Sequence, residues 1–443
     1  MKRKKLWGKI FLVFLSLFSV IFVKAAQLDI AAFINSKKAD MWNCSAEDFM
    51  KATDSKAIFV WNSDQKKSLH YAAFKMKEPL YFSGILITEA DFEFADQKLD
   101  CMNLNIYNKG GITNRTQAYK KKNFVKFIRK LQNTLNKFCK KRFVYKKKLI
   151  NRAPCYTCSW KTPYAFFVLK WSYSGHSHRS FRAQYITLNI YKDDSERKVR
   201  IKGRAELDLP SRVKKNDKGD RYIEVPMVDQ GPRGYCVVAC AERILKYYGL
   251  DVDQHTLAQA AGTSSRGGTS VKTIEKSMKS IGSKCRFHVK EVSDFETLVT
   301  VPELKSFVNK YNQCARKVGK EQLNLNDFRT YEGLFSAMDE ATLVKTKIRF
   351  NRSDFRKFKK RVIENIDKGL PVLWCVMLGI IKEPKLPQRM GGHMRLIIGY
   401  NPKTDEIIYS DSWGQKHGYK RITWGKAWAM TQMAHILIPK KKR

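Results

Sequence analysis

The sequence predicts an α+β protein of two regions, because the chain changes character near residue 205. Before that point, strand-like runs alternate with turns around one long basic helix; after it, helical patterns come first and strands second. At 443 residues the chain is long enough for two or three domains, and 43% hydrophobic residues is ordinary for a globular protein. We expect a separate α+β module of unknown function at 27–205, a linker at 206–221 and a second α+β domain at 222–443.

The first 26 residues have the layout of a secretory signal peptide. MKRKKLWGK is basic, IFLVFLSLFSVIFV is a 14-residue apolar run, and small residues around Ala25 and Ala26 suit cleavage. The run is too short for a comfortable membrane span, although retention as an uncleaved anchor is the alternative. We expect an exported protein that is periplasmic, attached to the cell surface or secreted.

The formal net charge is +44, and without the six basic residues of the leader it is +38. Charge of this size bears on solubility and on polyanionic surroundings rather than on the fold. For an exported protein the anionic partner would be lipid or a cell-surface polymer, and no specific nucleic acid is expected. A solvated, lysine-rich surface with no dedicated polyanion site is the other interpretation.

In the first region, the apolar runs predict strands in an antiparallel sheet with segregated helices. The strand-like runs are KAIFVW, LYFSGILI, FEFADQKLDCMNLNIYN, YAFFVLKWSYS and FRAQYITLNIYK. The stretch AYKKKNFVKFIRKLQNTLNKFCKK predicts an amphipathic helix with one apolar face. His176 and His178 lie in a Ser/Gly turn, which favours an exposed loop over a metal site.

The linker LPSRVKKNDKGDR is followed by helical patterns at 236–248, 254–261 and 270–281. A poorly patterned segment runs from about 285 to 352, and another helix is predicted at 353–368. The runs PVLWCVML, HMRLIIGY, EIIYSDS, YKRITW and HILIP predict strands.

Ten cysteines are too few for a disulfide scaffold in a chain of this length. Cys155 and Cys158 have redox or metal-site spacing. No second pair of ligands accompanies them, which favours a loop disulfide or plain packing. We expect neither a metal ion nor a cofactor.

Cys236 begins an apolar helical pattern directly after a glycine-bracketed turn. The free N–H groups and positive dipole end of a helix N-terminus stabilise a thiolate. A thiol nucleophile also needs a base, usually a histidine from another element. His393 opens an apolar strand behind two glycines, whereas His255 lies in a surface-like polar segment. Asp411, at the end of the next strand, would fix the tautomer of His393.

Gln230 lies six residues before Cys236, across the turn GPRG. Attack on a carbonyl creates an oxyanion, and a glutamine amide placed there supplies one hydrogen-bond donor, with the Cys236 backbone N–H as another. Cys240 lies one helical turn beyond Cys236. It falls in an apolar set with Val237, and free cysteine packs as a small hydrophobic side chain.

These motifs resemble those of papain-like cysteine peptidases. QGPRGYC is similar to the glutamine–glycine–cysteine pattern, GGHMRLIIGYN to the histidine strand, and YSDSWG to the asparagine–serine–tryptophan–glycine segment. The resemblance covers residues 222 to 443. It implies a two-lobed domain, a helical lobe followed by an antiparallel β lobe, in which Cys236 is the nucleophile and His393 the base.

The same resemblance implies that Asp411 orients the histidine, Gln230 belongs to the oxyanion hole and Trp413 shields the His393–Asp411 pair. Aspartate at 411, where papain has asparagine, brings the chain nearer to bacterial peptidases that remove double-glycine leaders from bacteriocins. Those peptidases are commonly fused to a transporter, and no transporter sequence is found among these 443 residues. The resemblance therefore does not imply that this chain also cleaves after a double glycine.

The leading hypothesis is an exported cysteine peptidase that hydrolyses peptide bonds through a thioester. A transglutaminase or a cell-wall amidase would use the same residues. A non-catalytic papain-like binding module is the third alternative.

Overall fold

A computed structural model describes residues 28–440 of the chain. It leaves out 54–57, 64–65, 74, 77, 110–119, 151–152, 176, 178–179, 193–207, 232–233, 251, 262, 264–275, 277, 280–286, 294–300, 385 and 389. The signal peptide, His176, His178 and most of the helix expected at 270–281 therefore lie outside the described residues. Below, residues 28–192 are called the N-terminal region and residues 208–440 the C-terminal region.

The N-terminal region is built on an eight-stranded antiparallel sheet with the strand order β2-β3-β6-β7-β11-β10-β9-β8. A three-stranded sheet, β1-β4-β5, lies beside it. The strands are β1 Leu28–Asp29, β2 Val60–Trp61, β3 Ser68–Ala72, β4 Leu80–Phe82, β5 Ile85–Ile87, β6 Glu89–Ala95, β7 Lys98–Asn108, β8 Val144–Ile150, β9 Ala153–Lys161, β10 Phe166–Ser174 and β11 Arg182–Tyr191.

Three helices accompany these sheets: α1 Ile30–Lys37, α2 Ala46–Ala52 and α3 Lys121–Cys139. The apolar side chains of α3 recur at helical spacing, so one face is buried, with Phe124, Ile128 and Leu131 among its residues. That face belongs to an apolar core made only of N-terminal residues. The segregation of helices from an antiparallel sheet is as the sequence predicts.

The C-terminal region has a second antiparallel sheet, with the strand order β12-β13-β16-β15-β19-β14 and β17 and β18 joined through β16. Its strands are β12 Val213–Lys215, β13 Arg221–Ile223, β14 Phe287–Ser293, β15 Val372–Leu378, β16 Gly391–Asn401, β17 Glu406–Ser410, β18 Lys420–Thr423 and β19 Thr431–Pro439. β12 lies within the stretch expected to be a linker.

The helices of the C-terminal region surround that sheet and share its apolar core. They are α4 Cys236–Tyr247, α5 Gln254–Ala261, α6 Val301–Lys317, α7 Tyr331–Ala337, α8 Glu340–Phe350, α9 Arg352–Asp367 and α10 Trp424–Met430. The expectation of a poorly patterned segment at 285–352 was wrong, because β14, α6, α7 and α8 occupy most of it. In α6, Leu304, Phe307 and Tyr311 follow helical spacing and are buried.

The two regions meet along α4, α5 and the chain that leads into α4. Lys246 of α4 pairs with Glu93 of β6 at 2.7 Å, and Gln259 of α5 donates to Ser172 of β10 at 2.6 Å. His255 of α5 contacts Asn105 of β7. His255 is buried, so its expected surface position was wrong: the N-terminal sheet covers it.

Among the described residues, no helix has the length and apolar character needed to cross a membrane.

Candidate active site

Cys236 is the first residue of α4, as the sequence predicts. The turn before the helix contains Gly231 in the left-handed region, at φ 64°, and ends at the buried Tyr235. The first N–H groups of a helix have no partner inside the helix. Here the backbone N–H groups of Val237 and Met394 are directed at the sulfur of Cys236.

The surroundings of Cys236 favour its thiolate. Desolvation by the surrounding protein would raise the pKa of the thiol. The hydrogen bond and the positive charge of His393, together with the two backbone N–H groups, outweigh that effect and hold the Cys236 pKa below its ordinary value. The side chain remains partly exposed. A partly exposed thiol of lowered pKa is a reactive nucleophile.

His393 projects from the start of β16, where that strand pairs with β15 through His393 and Val376. The preceding residues Gly391 and Gly392 leave this end of the strand without large side chains. His393 Nε2 lies 3.1 Å from Asp411 Oδ1. Because Nε2 is engaged by Asp411, Nδ1 is the ring nitrogen left to act on Cys236.

The protonated form of His393 is favoured in spite of burial. Desolvation alone would lower the pKa of the imidazole, but the hydrogen bonds and negative charges of Asp411 and Cys236 raise it above its ordinary value. The Cys236 pKa falls while the His393 pKa rises. Each shift favours the charged form of its residue, thiolate for Cys236 and imidazolium for His393.

Asp411 follows β17, whose last residue Ser410 pairs with Leu396 of β16. Desolvation opposes ionisation of this buried carboxyl, but Arg395, His393 and Lys420 hold its pKa far below the ordinary range. Arg395 Nε donates to the same oxygen as His393, at 2.7 Å, and Lys420 Nζ lies 3.2 Å from the other oxygen. The carboxylate is ionised and fixed in place.

Arg395 is itself supported from the opposite side. Its Nη1 donates to Glu383 Oε1 at 3.0 Å, and the hydroxyl of Tyr409 donates to Glu383 Oε2 at 2.5 Å. Arg243 of α4 donates to the Asp411 carbonyl oxygen at 2.8 Å, so the helix that begins at Cys236 also holds the aspartate's backbone. Sequence reasoning missed Arg395, although its position two residues after His393 puts both side chains on one strand face.

Trp413 covers the histidine. The rings of His393 and Trp413 are stacked with centroids 4.2 Å apart and planes 9° from parallel. An indole in this place keeps water away from the imidazole and so strengthens its bond to Asp411.

Gln230 lies beside the aspartate segment and is anchored twice. Its backbone N–H donates to the Ser412 carbonyl at 2.8 Å, and the Ser412 hydroxyl donates to Gln230 Oε1 at 2.7 Å. With the amide oxygen turned to Ser412, the plane of the side-chain amide is fixed. Gln230, Cys236, His393 and Asp411 are thus drawn together by α4, β16 and the end of β17.

The other described cysteines are buried, whereas Cys236 is partly exposed. Cys240 lies under the sheet, with its sulfur 3.3 Å from the Met394 carbonyl, and burial raises its pKa to about 12. Cys155 and Cys158, three residues apart on β9, point to opposite faces of the strand and are both buried. Plain packing therefore accounts for this pair.

One group of described residues has the composition of a metal site. The ligand atoms of Glu93, Asp100 and Cys101 lie within 4.8 Å of one another. They lie in the N-terminal region, and Glu93 is already paired with Lys246. They therefore take no part in the chemistry of Cys236.

Two protein-family models match the C-terminal region. Residues 224–328 match the Peptidase C39 family, and residues 308–435 match the Peptidase C39 like family. The first match contains Gln230 and Cys236, and the second contains His393 and Asp411. No curated protein matches the chain.

Proposed function

We propose that the protein, a cysteine peptidase whose C-terminal region is related to the C39 families, hydrolyses peptide bonds through a thioester on Cys236. The observation that carries the proposal is the place of His393: its Nε2 lies 3.1 Å from Asp411, and its charge helps to hold the pKa of the Cys236 thiol below the ordinary value. A structural cysteine has no need of a charged histidine beside it.

In the proposed reaction, the Cys236 thiolate attacks the peptide carbonyl carbon and forms a carbon–sulfur bond. The carbonyl oxygen becomes an oxyanion, which the Gln230 amide and the Cys236 backbone N–H stabilise by hydrogen bonds. His393, as imidazolium, gives its proton to the leaving amine, and the carbon–nitrogen bond breaks. The neutral imidazole then takes a proton from water, whose oxygen attacks the thioester; the carbon–sulfur bond breaks, which releases the acid and restores the Cys236 thiolate and the His393 imidazolium.

The proposed architecture is papain-like. Helices α4 and α5 would belong to a helical lobe, and the sheet around β16 would form the β lobe. The proposed domain limits are 27–205 for the N-terminal module, 206–221 for the linker and 222–443 for the peptidase. The largest apolar core of each region is confined to that region, which supports a separation of the N-terminal module from the peptidase.

We also propose that the protein acts after export, because residues 1–26 have signal-peptide composition. N-terminal sequencing of the protein recovered from its producing cells should give a chain that begins near Gln27. A chain that retains Met1 would show instead that the leader is kept.

A fluorogenic peptide library, assayed with and without an added primary amine, tests the function. Hydrolysis whose products are unchanged by the amine is the expected result, and Cys236→Ala serves as the blank. Products that carry the amine would identify acyl transfer. If no peptide of the library is cleaved, peptide hydrolysis is not the activity. Selective cleavage of cell-wall peptides would identify an amidase.

A further inference from the structure

The turn that carries Gln230 is held from outside the C-terminal region. The carboxylate of Asp229 lies 2.8 Å from the amino group of Lys75, which follows β3 in the N-terminal region. The Asp229 side chain is only 5% exposed, whereas that of Lys75 is 41% exposed. The lysine thus reaches from the surface to a buried acidic group. Lys75 also lies outside residues 224–435, the span of the two peptidase matches.

Asp229 determines the shape of the turn that follows it. Its second carboxylate oxygen accepts the backbone N–H of Gly231 at 2.8 Å, which closes the turn around Gln230. Its backbone carbonyl accepts a hydrogen bond from Gln254 of α5 at 3.0 Å. The carboxylate also packs on Gly414, where a β-carbon would lie 3.0 Å from Asp229 Oδ2.

The turn is therefore held between two groups. On one side the backbone and hydroxyl of Ser412 hold Gln230, and on the other Lys75 holds Asp229. A buried carboxylate that loses its cation must turn toward water or take up a proton. The positive charge of His70 lowers the pKa of Asp229 more than the charge of Lys75 does, but the His70 Nδ1 is bonded to Asp91 at 2.9 Å. Lys75 is the cation that bonds directly to the Asp229 carboxylate. Either response would weaken the hydrogen bond from the Gly231 N–H to the carboxylate and so loosen the turn that holds Gln230.

We propose that Lys75 is a positioning residue for the reaction, acting through Asp229 to hold the Gln230 amide where the oxyanion forms. The N-terminal region then supplies part of the support of the active site. This inference rests on the proposed function, because it needs Gln230 to stabilise the oxyanion.

Two small reagents separate positioning of Gln230 from activation of the thiol. In the reaction with p-nitrophenyl acetate, the Cys236 thiolate attacks the ester carbonyl, an oxyanion forms, and p-nitrophenolate leaves as the acetyl thioester appears. Iodoacetamide reacts at a saturated carbon by displacement of iodide, with no oxyanion. The ratio of the acylation rate to the alkylation rate therefore measures oxyanion stabilisation and needs no peptide substrate. Cys236→Ala gives the background rate.

Lys75→Met should lower acylation by about tenfold, less than the 10²–10³ that loss of an oxyanion donor typically costs, and should leave alkylation unchanged. Lys75→Arg should restore acylation, because a cation again reaches Asp229. Lys67→Met is the matched control: Lys67 pairs with Glu224 across the same interface at 3.5 Å but does not contact Asp229. It should leave both rates unchanged.

Gln230→Ala separates failure of this inference from failure of the proposed function. If Gln230→Ala lowers the ratio and Lys75→Met does not, Lys75 has no positioning role, although Gln230 keeps its own. If neither variant changes the ratio, the proposed oxyanion role of Gln230 is wrong, and the inference falls with it. A Lys75→Met variant that slows both reactions equally, or a Lys67→Met variant that lowers the ratio, would show a general effect of the interface and overturn the proposal.

Discussion

At the level of single residues, the charge around Asp411 determines how this side chain can act on His393. One carboxylate oxygen is shared by His393 and Arg395, and Lys420 lies beside the other. In a buried site, two nearby cations offset much of the carboxylate's attraction for an imidazolium. We infer that Asp411 acts mainly by fixing the orientation of the ring.

The two cysteines of α4 should respond differently to substitution. Cys236→Ala should lower peptide turnover by roughly 10³-fold or more, because no other group forms the thioester. Cys240→Ala should leave most of the turnover intact and cost about 1 kcal/mol of stability, because Cys240 is a buried packing residue with a raised pKa. Turnover of one fluorogenic peptide and thermal unfolding of both variants are the measurements. Loss of turnover in a folded Cys240→Ala protein would mean that the nucleophile is misassigned.

Part of this site could be predicted from the sequence and part could not. Gln230 and Cys236 lie at a fixed spacing around a turn, His393 lies at the start of a strand, and Asp411 follows the end of the next strand. In the sequence, Arg395 is a single basic residue in an apolar strand, and apart from its place two residues after His393 nothing beside it indicates a role at the site. Its partner Glu383 lies in the chain before β16, so only the folded structure shows that both are needed beside Asp411.

At the level of elements, β16 is the strand on which the site is built, and its far end is packed tightly. A β-carbon at Gly399 would lie 2.5 Å from the Arg221 carbonyl oxygen and 2.7 Å from the Tyr222 β-carbon of β13. Gly399→Ala should therefore destabilise the protein by about 1–3 kcal/mol, because β13 must move. Gly418→Ala is the control, since its nearest contact would be 3.4 Å from the end of Met227. Equal unfolding midpoints for the two variants in denaturant would contradict this packing.

The elements with strong patterns could be predicted closely. α5 was expected at 254–261 and lies there, and α4 ends one residue before its expected limit. The elements of segment 285–352 could not be predicted as closely as α4 and α5. α7 and α8 have only 7 and 11 residues, and their starts depend on capping by Thr330 and Asp339. Short capped helices of this kind depend on the core that they cover.

At the level of the whole molecule, the positive charge of the chain includes an exposed face on α3. This face comprises the exposed residues Lys122, Lys126, Arg129, Lys130 and Lys137. We predict that the protein binds anionic vesicles through this face and that binding weakens as salt rises, because exposed charges are screened over about 8 Å at physiological ionic strength.

Co-sedimentation with phosphatidylserine vesicles checks this prediction. Replacing Lys122, Lys126, Arg129 and Lys130 by glutamine should weaken binding by roughly tenfold or more. The control replaces four exposed cations of α9, Arg352, Arg356, Lys357 and Lys360, and removes the same charge. Equal losses of vesicle binding in the two variants would mean that net charge, rather than the α3 face, causes the binding. A protein that does not bind the vesicles even at low salt would refute the prediction.

The central claim is that His393 activates Cys236, and the pH dependence of Cys236 alkylation tests it most directly. The rate of iodoacetamide labelling at Cys236 would be followed by peptide mass spectrometry in the wild type and in His393→Ala. Thiolate forms as pH rises, so a lowered pKa should place the wild-type midpoint below that of an ordinary thiol, about 8.5. In His393→Ala, Cys236 stays desolvated by the surrounding protein but loses the positive charge of the histidine, so the midpoint of its labelling should move to higher pH. A wild-type midpoint at or above the ordinary value, or one that His393→Ala leaves unchanged, would contradict the account.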